Sequence, residues 1–165
     1  RGPADDADGS AVVAVTSHYG PHHGPQANFI NGFGGYEFGA VLSTSGPHES
    51  MASCVYCHMT EGNETGGHTW VPGIEGCTAC HADATDFDIN GAVTEIEGLI
   101  ADLEAALKTA GMLDEEGHAI EDTSYQADSV GALWNLLLLE EDKSHGIHNP
   151  DYAIALLENA ISAME

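Results

Sequence analysis

Apolar residues recur with a helical period in the C-terminal half of the chain. Ile96, Leu99, Ile100, Leu103 and Leu107 fall at i, i+3, i+4, i+7 and i+11, which lines one stripe of a 3.6-residue helix. Glu95, Asp102 and Glu104 take the opposite face, and Gly111 supplies a stop. Residues 112–124 lose the period and read as an acidic loop. A second helix is predicted from about Tyr125 to Asp142, carrying Leu133, Trp134, Leu137 and Leu138. A third runs from Pro150 to about Met164 with Ile154, Leu157 and Ile161 on one face. Its start is well marked: Asn149 is a good N-cap, Pro150 a good first helical residue, and Asp151 suits the positive end of the helix dipole. Three such helices predict a small bundle.

The pattern upstream is different. Residues 1–45 are rich in Gly, Pro, Ala and Asp and read as an extended arm. Within it "AVVAV" (11–15) is the one strand-like run, expected as a packed extended segment or, more sharply, as a strand laid on a neighbouring molecule. "GFGGYEFG" (32–39) is turn-rich and aromatic, and it lacks the strand–loop–helix context of a phosphate loop. Residues 46–90 show neither period, and 91–165 hold the helices. The longest apolar run, "ALWNLLLL" at 132–139, falls far short of the ~20 residues of a membrane span. No signal peptide is visible, as expected of numbering from a mature terminus. The fold class expected is mostly α with much irregular structure, in a single domain.

Composition sharpens this. Aromatics are 7% of 165 residues and glycines number 20, a thin supply for a core. The formal charge is −24, from 27 acidic residues against three basic ones, Arg1, Lys108 and Lys143. Nucleic acid and anionic lipid are therefore not expected partners, since both need clustered Lys/Arg. Such a charge fits a solvated acidic surface in salty or cation-rich water, or a face for a basic partner.

All four cysteines lie in residues 54–81, "CVYCHMTEGNETGGHTWVPGIEGCTACH". Disulfide pairing would waste the regular spacing of two Cys-x-x-Cys units. A four-thiolate zinc site accommodates the 19 residues from Cys57 to Cys77 in round terms, but gives no reason for His58 and His81 to follow Cys57 and Cys80. At ten histidines in 165 residues, both coincidences would arise by chance roughly 0.4% of the time. Covalent haem c requires both: Cys54 and Cys57, then Cys77 and Cys80, form thioethers, and His58 and His81 become proximal ligands. Two complete motifs predict two haem c groups. Their large apolar faces would supply what the core lacks, and Phe33, Tyr36 and Phe38 are expected to pack against them.

Eight further histidines (18, 22, 23, 48, 68, 118, 145 and 148) stand against four methionines. The excess points to bis-histidine ligation, and to lower reduction potentials than His/Met. His148 sits on a short tether before the firm helix start, whereas His145 is on looser chain.

"GPHESMASCVYCHM", "GGHTW", "GCTACH", a long helical stretch and "SHGIHNPDYA", in that order, resemble the C-terminal part of pentahaem cytochrome c nitrite reductases and related multihaem cytochromes, over residues 45–165. The resemblance implies crossed ligation, with His48 opposite His81 and His148 opposite His58. It gives His68 to an upstream haem that this chain lacks. "SHYGPHHGPQANF" is similar to an upstream part of such chains, making His18 the other alternative ligand. It also implies haem attachment outside the cytoplasm, hence an extracellular or cell-surface protein, with the periplasm as the alternative.

The lysine-ligated haem of the nitrite reductases has no counterpart here, because no Cys-x-x-Cys-Lys occurs. An enzyme needs an open iron position, and spare histidines can close both irons. The expectation is an electron-transfer dihaem cytochrome, its partners other copies of itself and redox proteins, with head-to-tail polymerisation into a filament as a further step. Ca²⁺ held by carboxylates is a further candidate cofactor. The alternatives are a nitrite- or peroxide-reductase-like haem enzyme and a haem-based sensor.

Overall fold

The computed structural model describes residues 11–40, 42, 46–51, 53–60 and 67–165. Residues 1–10 of the arm, with Arg1, and residues 61–66 between the two cysteine motifs lie outside the described residues. The elements in chain order are β1 (Val12–Val15), α1 (Gln26–Ile30), α2 (Pro47–Met51), α3 (Cys54–His58), α4 (Glu75–Thr78), α5 (Ala92–Thr109), β2 (Thr123–Gln126), α6 (Ala127–Asp142) and α7 (Pro150–Met164). A 3₁₀ turn at Ile89–Gly91 leads into α5. The architecture is mostly α, with a little sheet.

The three long helices form where the apolar period predicts them. At the start of α5, Asp88 Oδ1 accepts from the backbone amides of Val93 and Thr94 (2.8 and 3.2 Å), and Oδ2 accepts from the Thr94 hydroxyl at 2.6 Å. These bonds occupy donors that a helix N-terminus leaves unpaired. They also hold the Asp88 carboxyl below its usual range, the Thr94 hydroxyl being the largest cause. The helix ends in a Schellman motif: Gly111 at φ +69°, its amide donating to Lys108 O, and the Met112 amide to Leu107 O. Asn149 caps α7 as predicted, its Oδ1 accepting from the Tyr152 amide at 3.3 Å.

Helix α6 is the centre of the molecule. Ten consecutive residues, 130–139, are buried except for half-buried Leu137, so the helix is apolar nearly all round. Leu133, Leu136 and Leu138 meet Ile96, Leu103 and Leu107 of α5 and Tyr152, Leu156 and Leu157 of α7 in one cluster. No described helix is long and apolar enough to cross a membrane.

Two expectations are corrected. The segment 112–124 is not simply a loop: Met112 and Leu113 are buried, Leu113 bridges Ala119, and Thr123 begins β2. As a result α6 starts two residues later than the apolar pattern suggested. β2 pairs antiparallel with β1, from Val12 opposite Gln126 to Val15 opposite Thr123, so "AVVAV" finds its partner within the chain. The second correction concerns the arm. Residues 11–40 fold onto α6: Val15, Phe29 and Tyr36 are buried, the Tyr19 hydroxyl donates to Val130 O at 2.7 Å, and Trp134 Nε1 donates to Gly34 O at 2.6 Å. Tyr36 and Phe38, expected against haem, instead stack edge-on against each other at 4.8 Å. The Tyr36 amide donates to buried Asn135 Oδ1 at 2.7 Å, and its hydroxyl to Asp128. Gly131 makes room for that ring, since a Cβ there would lie 2.2 Å from Tyr36 Cδ1. Phe33 is 56% exposed. The reason for both corrections is the surplus apolar surface of α6, which recruits isolated apolar residues from distant chain.

Residues 46–90 are built differently. Among those described, the only buried residues are Gly46, Gly67 and Gly76. Val55, Tyr56, Met59, Trp70, Val71 and Phe87 are all exposed. The described residues of the segment form no side-chain core of their own.

Candidate functional site

Each cysteine motif occupies one helical turn. In α3, Cys54, Cys57 and His58 stand at i, i+3 and i+4, so they share a face. The Thr60 hydroxyl closes the C-terminal end of this turn against Tyr56 O and Cys57 O (2.8 and 3.1 Å). The second motif begins in α4 and continues beyond it as a turn, in which the His81 amide donates to Cys77 O at 2.8 Å. The two turns touch at Gly76, where a Cβ would lie 3.3 Å from both Cys57 Cα and Thr60 Oγ1. Any side chain there would push the motifs apart.

All four cysteines are free thiols. Burial raises the Cys57 thiol above its ordinary pKa, with further contributions from Cys77, Cys54 and Cys80. Burial also raises Cys77. The described residues include all four cysteines and all ten histidines, and no group of three or more His, Cys, Asp or Glu among them could hold a metal ion.

What the structure assembles is histidines in pairs. His48 from α2 and His81 have ring centroids 6.5 Å apart with planes at 82°. His58 and His148 have centroids 6.3 Å apart with planes at 42°. Two metal–nitrogen bonds of about 2.0 Å and two ring half-widths of about 1.15 Å put bridged imidazole centroids about 6.3 Å apart. Both separations fit one iron between each pair. The partners are those the family resemblance implies.

Hydrogen bonds choose the tautomer. His48 Nδ1 lies 2.7 Å from Ile147 O, and His58 Nδ1 lies 2.7 Å from Trp70 O. A carbonyl oxygen only accepts, so Nδ1 carries the proton and Nε2 keeps its lone pair for a metal. His148 Nδ1 lies 2.7 Å from Asp142 Oδ1. The carboxylate of Asp142 is 1% exposed; its other oxygen accepts from the Ser144 hydroxyl, which in turn accepts from the His148 amide at 3.2 Å. Trp70 holds a left-handed backbone (φ +60°), a conformation a bulky residue rarely adopts, and this residue supplies the carbonyl to His58.

One short segment serves both pairs. Ile147 gives its carbonyl to His48, and the next residue gives its ring to His58. Gly46 packs so closely on Asn149 that a Cβ would lie 3.0 Å from Asn149 Oδ1.

The alternative ligands lie elsewhere. His68 is exposed. His18 lines a separate cavity of about 350 Å³ with His22, His23, Leu137 and Glu141, and His23 pairs with Glu141 at 2.7 Å. His145 pairs with Glu97 and His118 with Asp114. A second cavity, of about 370 Å³, adjoins His81 and is lined by Asp83, Asp86 and Asp88. Sequence reasoning missed Asp142, Ser144 and Trp70. Asp142 ends the acidic run "EED" and looks solvated there; the available signal was its place six residues before a candidate ligand, at a helix end.

Comparison with protein-family models, with curated proteins and with solved structures finds no match to this chain, so the family likeness rests on its motifs alone.

Proposed function

We propose that the chain is a dihaem c-type cytochrome that carries electrons. The observation that supports this best is the pair of imidazole couples, each joining a motif histidine to a histidine from distant chain at iron-bridging separation. Cys54 and Cys57, and Cys77 and Cys80, would hold the two haems; His58 with His148, and His81 with His48, would be their axial ligands. The haem supplies one-electron iron chemistry, and the chain sets ligands, burial and spacing. The coreless segment 46–90, with its exposed aromatic and aliphatic residues, supports the presence of large apolar groups. With two histidines per iron no position is left for substrate, so the protein is a carrier and not an enzyme. Its setting is extracellular or at the cell surface. Its electron partners are redox proteins and further copies of itself, which a head-to-tail contact would extend into a filament.

Intact mass of the purified protein tests the first step. Two thioether-linked haems add roughly 0.6 kDa each, at the two motifs. A mass equal to the bare chain, or to chain with zinc, refutes the proposal. Ultracentrifugation across salt concentration and with chelator tests assembly: screening confines charge repulsion to about 8 Å at ~0.15 M salt, so the −24 chain should associate there and dissociate at low salt. A monomer under all conditions removes the filament, and added nitrite- or peroxide-dependent turnover replaces the carrier by the enzyme.

A further inference from the structure

The two histidine pairs differ in one respect that bears on electron flow. His48 and His58 give their Nδ1 protons to neutral backbone carbonyls. His148 gives its proton to a carboxylate, Asp142, that is almost completely shielded from water. We infer that Asp142 is a positioning residue that makes the haem of Cys54 and Cys57 the lower-potential one, so that in the half-reduced protein the electron rests on the haem of Cys77 and Cys80. The inference depends on the dihaem reading above.

The physical chain is short. A carboxylate behind an imidazole fixes its orientation and raises its basicity toward the metal. A more basic axial ligand stabilises the ferric state over the ferrous, which lowers the potential. The buried negative charge acts in the same direction and, at 1% exposure, is poorly screened. The opposing influence is the acidic loop beside His81. Asp83 and Asp86 are exposed there, and water and salt weaken their field; Asp88 is spent on the Val93 and Thr94 amides of α5. Ligand planes contribute as well. The 82° crossing at His48/His81 leaves the two iron dπ orbitals nearer in energy than the 42° crossing at His58/His148. The step itself balances simply: one iron is oxidised as the other is reduced, with no proton or further reactant.

The different crossing angles also label the haems, because nearly perpendicular imidazoles give the larger g anisotropy in the ferric EPR spectrum. An EPR-monitored redox titration of the holoprotein therefore reads each potential separately. The less anisotropic signal should titrate at the lower potential. In Asp142→Asn its reduction equilibrium should shift about tenfold toward the ferrous form, ~59 mV for one electron, and the other signal should move by less than a third of that. Ser144→Ala, which removes a hydroxyl donor from the carboxylate, should shift the same signal the opposite way. Equal movement of both haems, or no movement in an Asp142→Asn protein that keeps two low-spin haems, overturns the inference. If Asp142→Asn fails to fold, Ser144→Ala decides by the sign of its shift, an unchanged potential counting against. Absence of two covalent haems in the wild type instead refutes the dihaem reading.

Discussion

Replacing Asn149 by alanine should weaken the fold and, in the dihaem reading, both ligand pairs together. The side chain is 1% exposed and makes two bonds: its Oδ1 caps α7 through the Tyr152 amide at 3.3 Å, and its Nδ2 donates to Ile30 O at 3.2 Å. Losing a helix cap costs about 1 kcal/mol. Leaving the Ile30 carbonyl without its partner adds about 1–2 kcal/mol. The expected destabilisation is about 2–3 kcal/mol, a fall in Tm of roughly 4–12 °C for a chain of this size. The variant should also affect ligation, because Asn149 follows His148 directly and Gly46, two residues before His48, packs on its side chain. Urea unfolding followed by helical circular dichroism measures the first effect, and the six-coordinate low-spin haem spectrum measures the second. Asn149→Asp separates the two bonds, since it retains the capping oxygen and loses the donor to Ile30. A change below about 0.5 kcal/mol in Asn149→Ala, with both haems fully six-coordinate, would refute the reasoning.

Other substitutions probe the remaining parts. His148→Ala should open the haem at Cys54 and Cys57 alone, and His48→Ala the haem at Cys77 and Cys80 alone; a variant that keeps two low-spin six-coordinate haems would shift its assignment to His68 or His18. Gly131→Ala should destabilise by about 1–3 kcal/mol in urea despite the better helix propensity of alanine, because Tyr36 occupies the space its methyl needs; a gain in stability would remove Tyr36 from α6. Burial pushes the Tyr152 hydroxyl up to about 12 and also raises Tyr19. Both groups stay protonated in the fold at a pH where the unfolded chain releases protons. Their stabilisation is complete below pH 10, the ordinary tyrosine value, and is lost as pH rises beyond it. In the dihaem reading the cysteine sulfurs are thioethers and do not titrate, so denaturation of the holoprotein should show this alkaline loss, and Tyr152→Phe should reduce its slope.

The long helices were legible because each depends on signals confined to a few neighbouring residues: the stripe from Ile96 to Leu107, the Gly111 stop, the Asn149–Pro150 start. The motif cysteines and histidines stand out in the sequence because each Cys-x-x-Cys-His is contiguous. Strand β1 was legible as the run "AVVAV"; its partner was not. β2 is "TSYQ", four residues with mostly exposed side chains, and nothing local distinguishes it from loop until β1 lies beside it. Nor could local pattern place Phe29 and Tyr36, apolar residues whose burial depends on α6. Asp142 was invisible for a related reason. Its contact with His148 depends on a turn in which Lys143 and His145 both take left-handed φ (59° and 53°) and Gly146 packs where a Cβ would meet Ile96 Cδ1 at 2.4 Å. That turn bends the chain back over the end of α6.

The distribution of burial suggests how the two halves of the molecule depend on each other. Helices α5, α6 and α7 share a continuous apolar cluster whose described members include no residue of 46–90. That segment has helices of four or five residues, too short to persist by themselves, and its buried positions are glycines at points of close backbone approach. Besides the Asp88 bonds at the start of α5, three ties join its described residues to the helical part: His48 to Ile147, Gly46 to Asn149 and His58 to His148. Two of these three involve the proposed ligands. In the dihaem reading the porphyrins are thus the core of this half as well as its redox centres, and iron ligation is the bond that fastens it to the bundle. A chain with 7% aromatics can then be sufficient, because the apolar surface it lacks arrives with the cofactor. The same economy leaves the groups around α3 open to solvent, with Val55, Tyr56 and Met59 exposed, where a carrier must bring its haem edge close to the next electron partner.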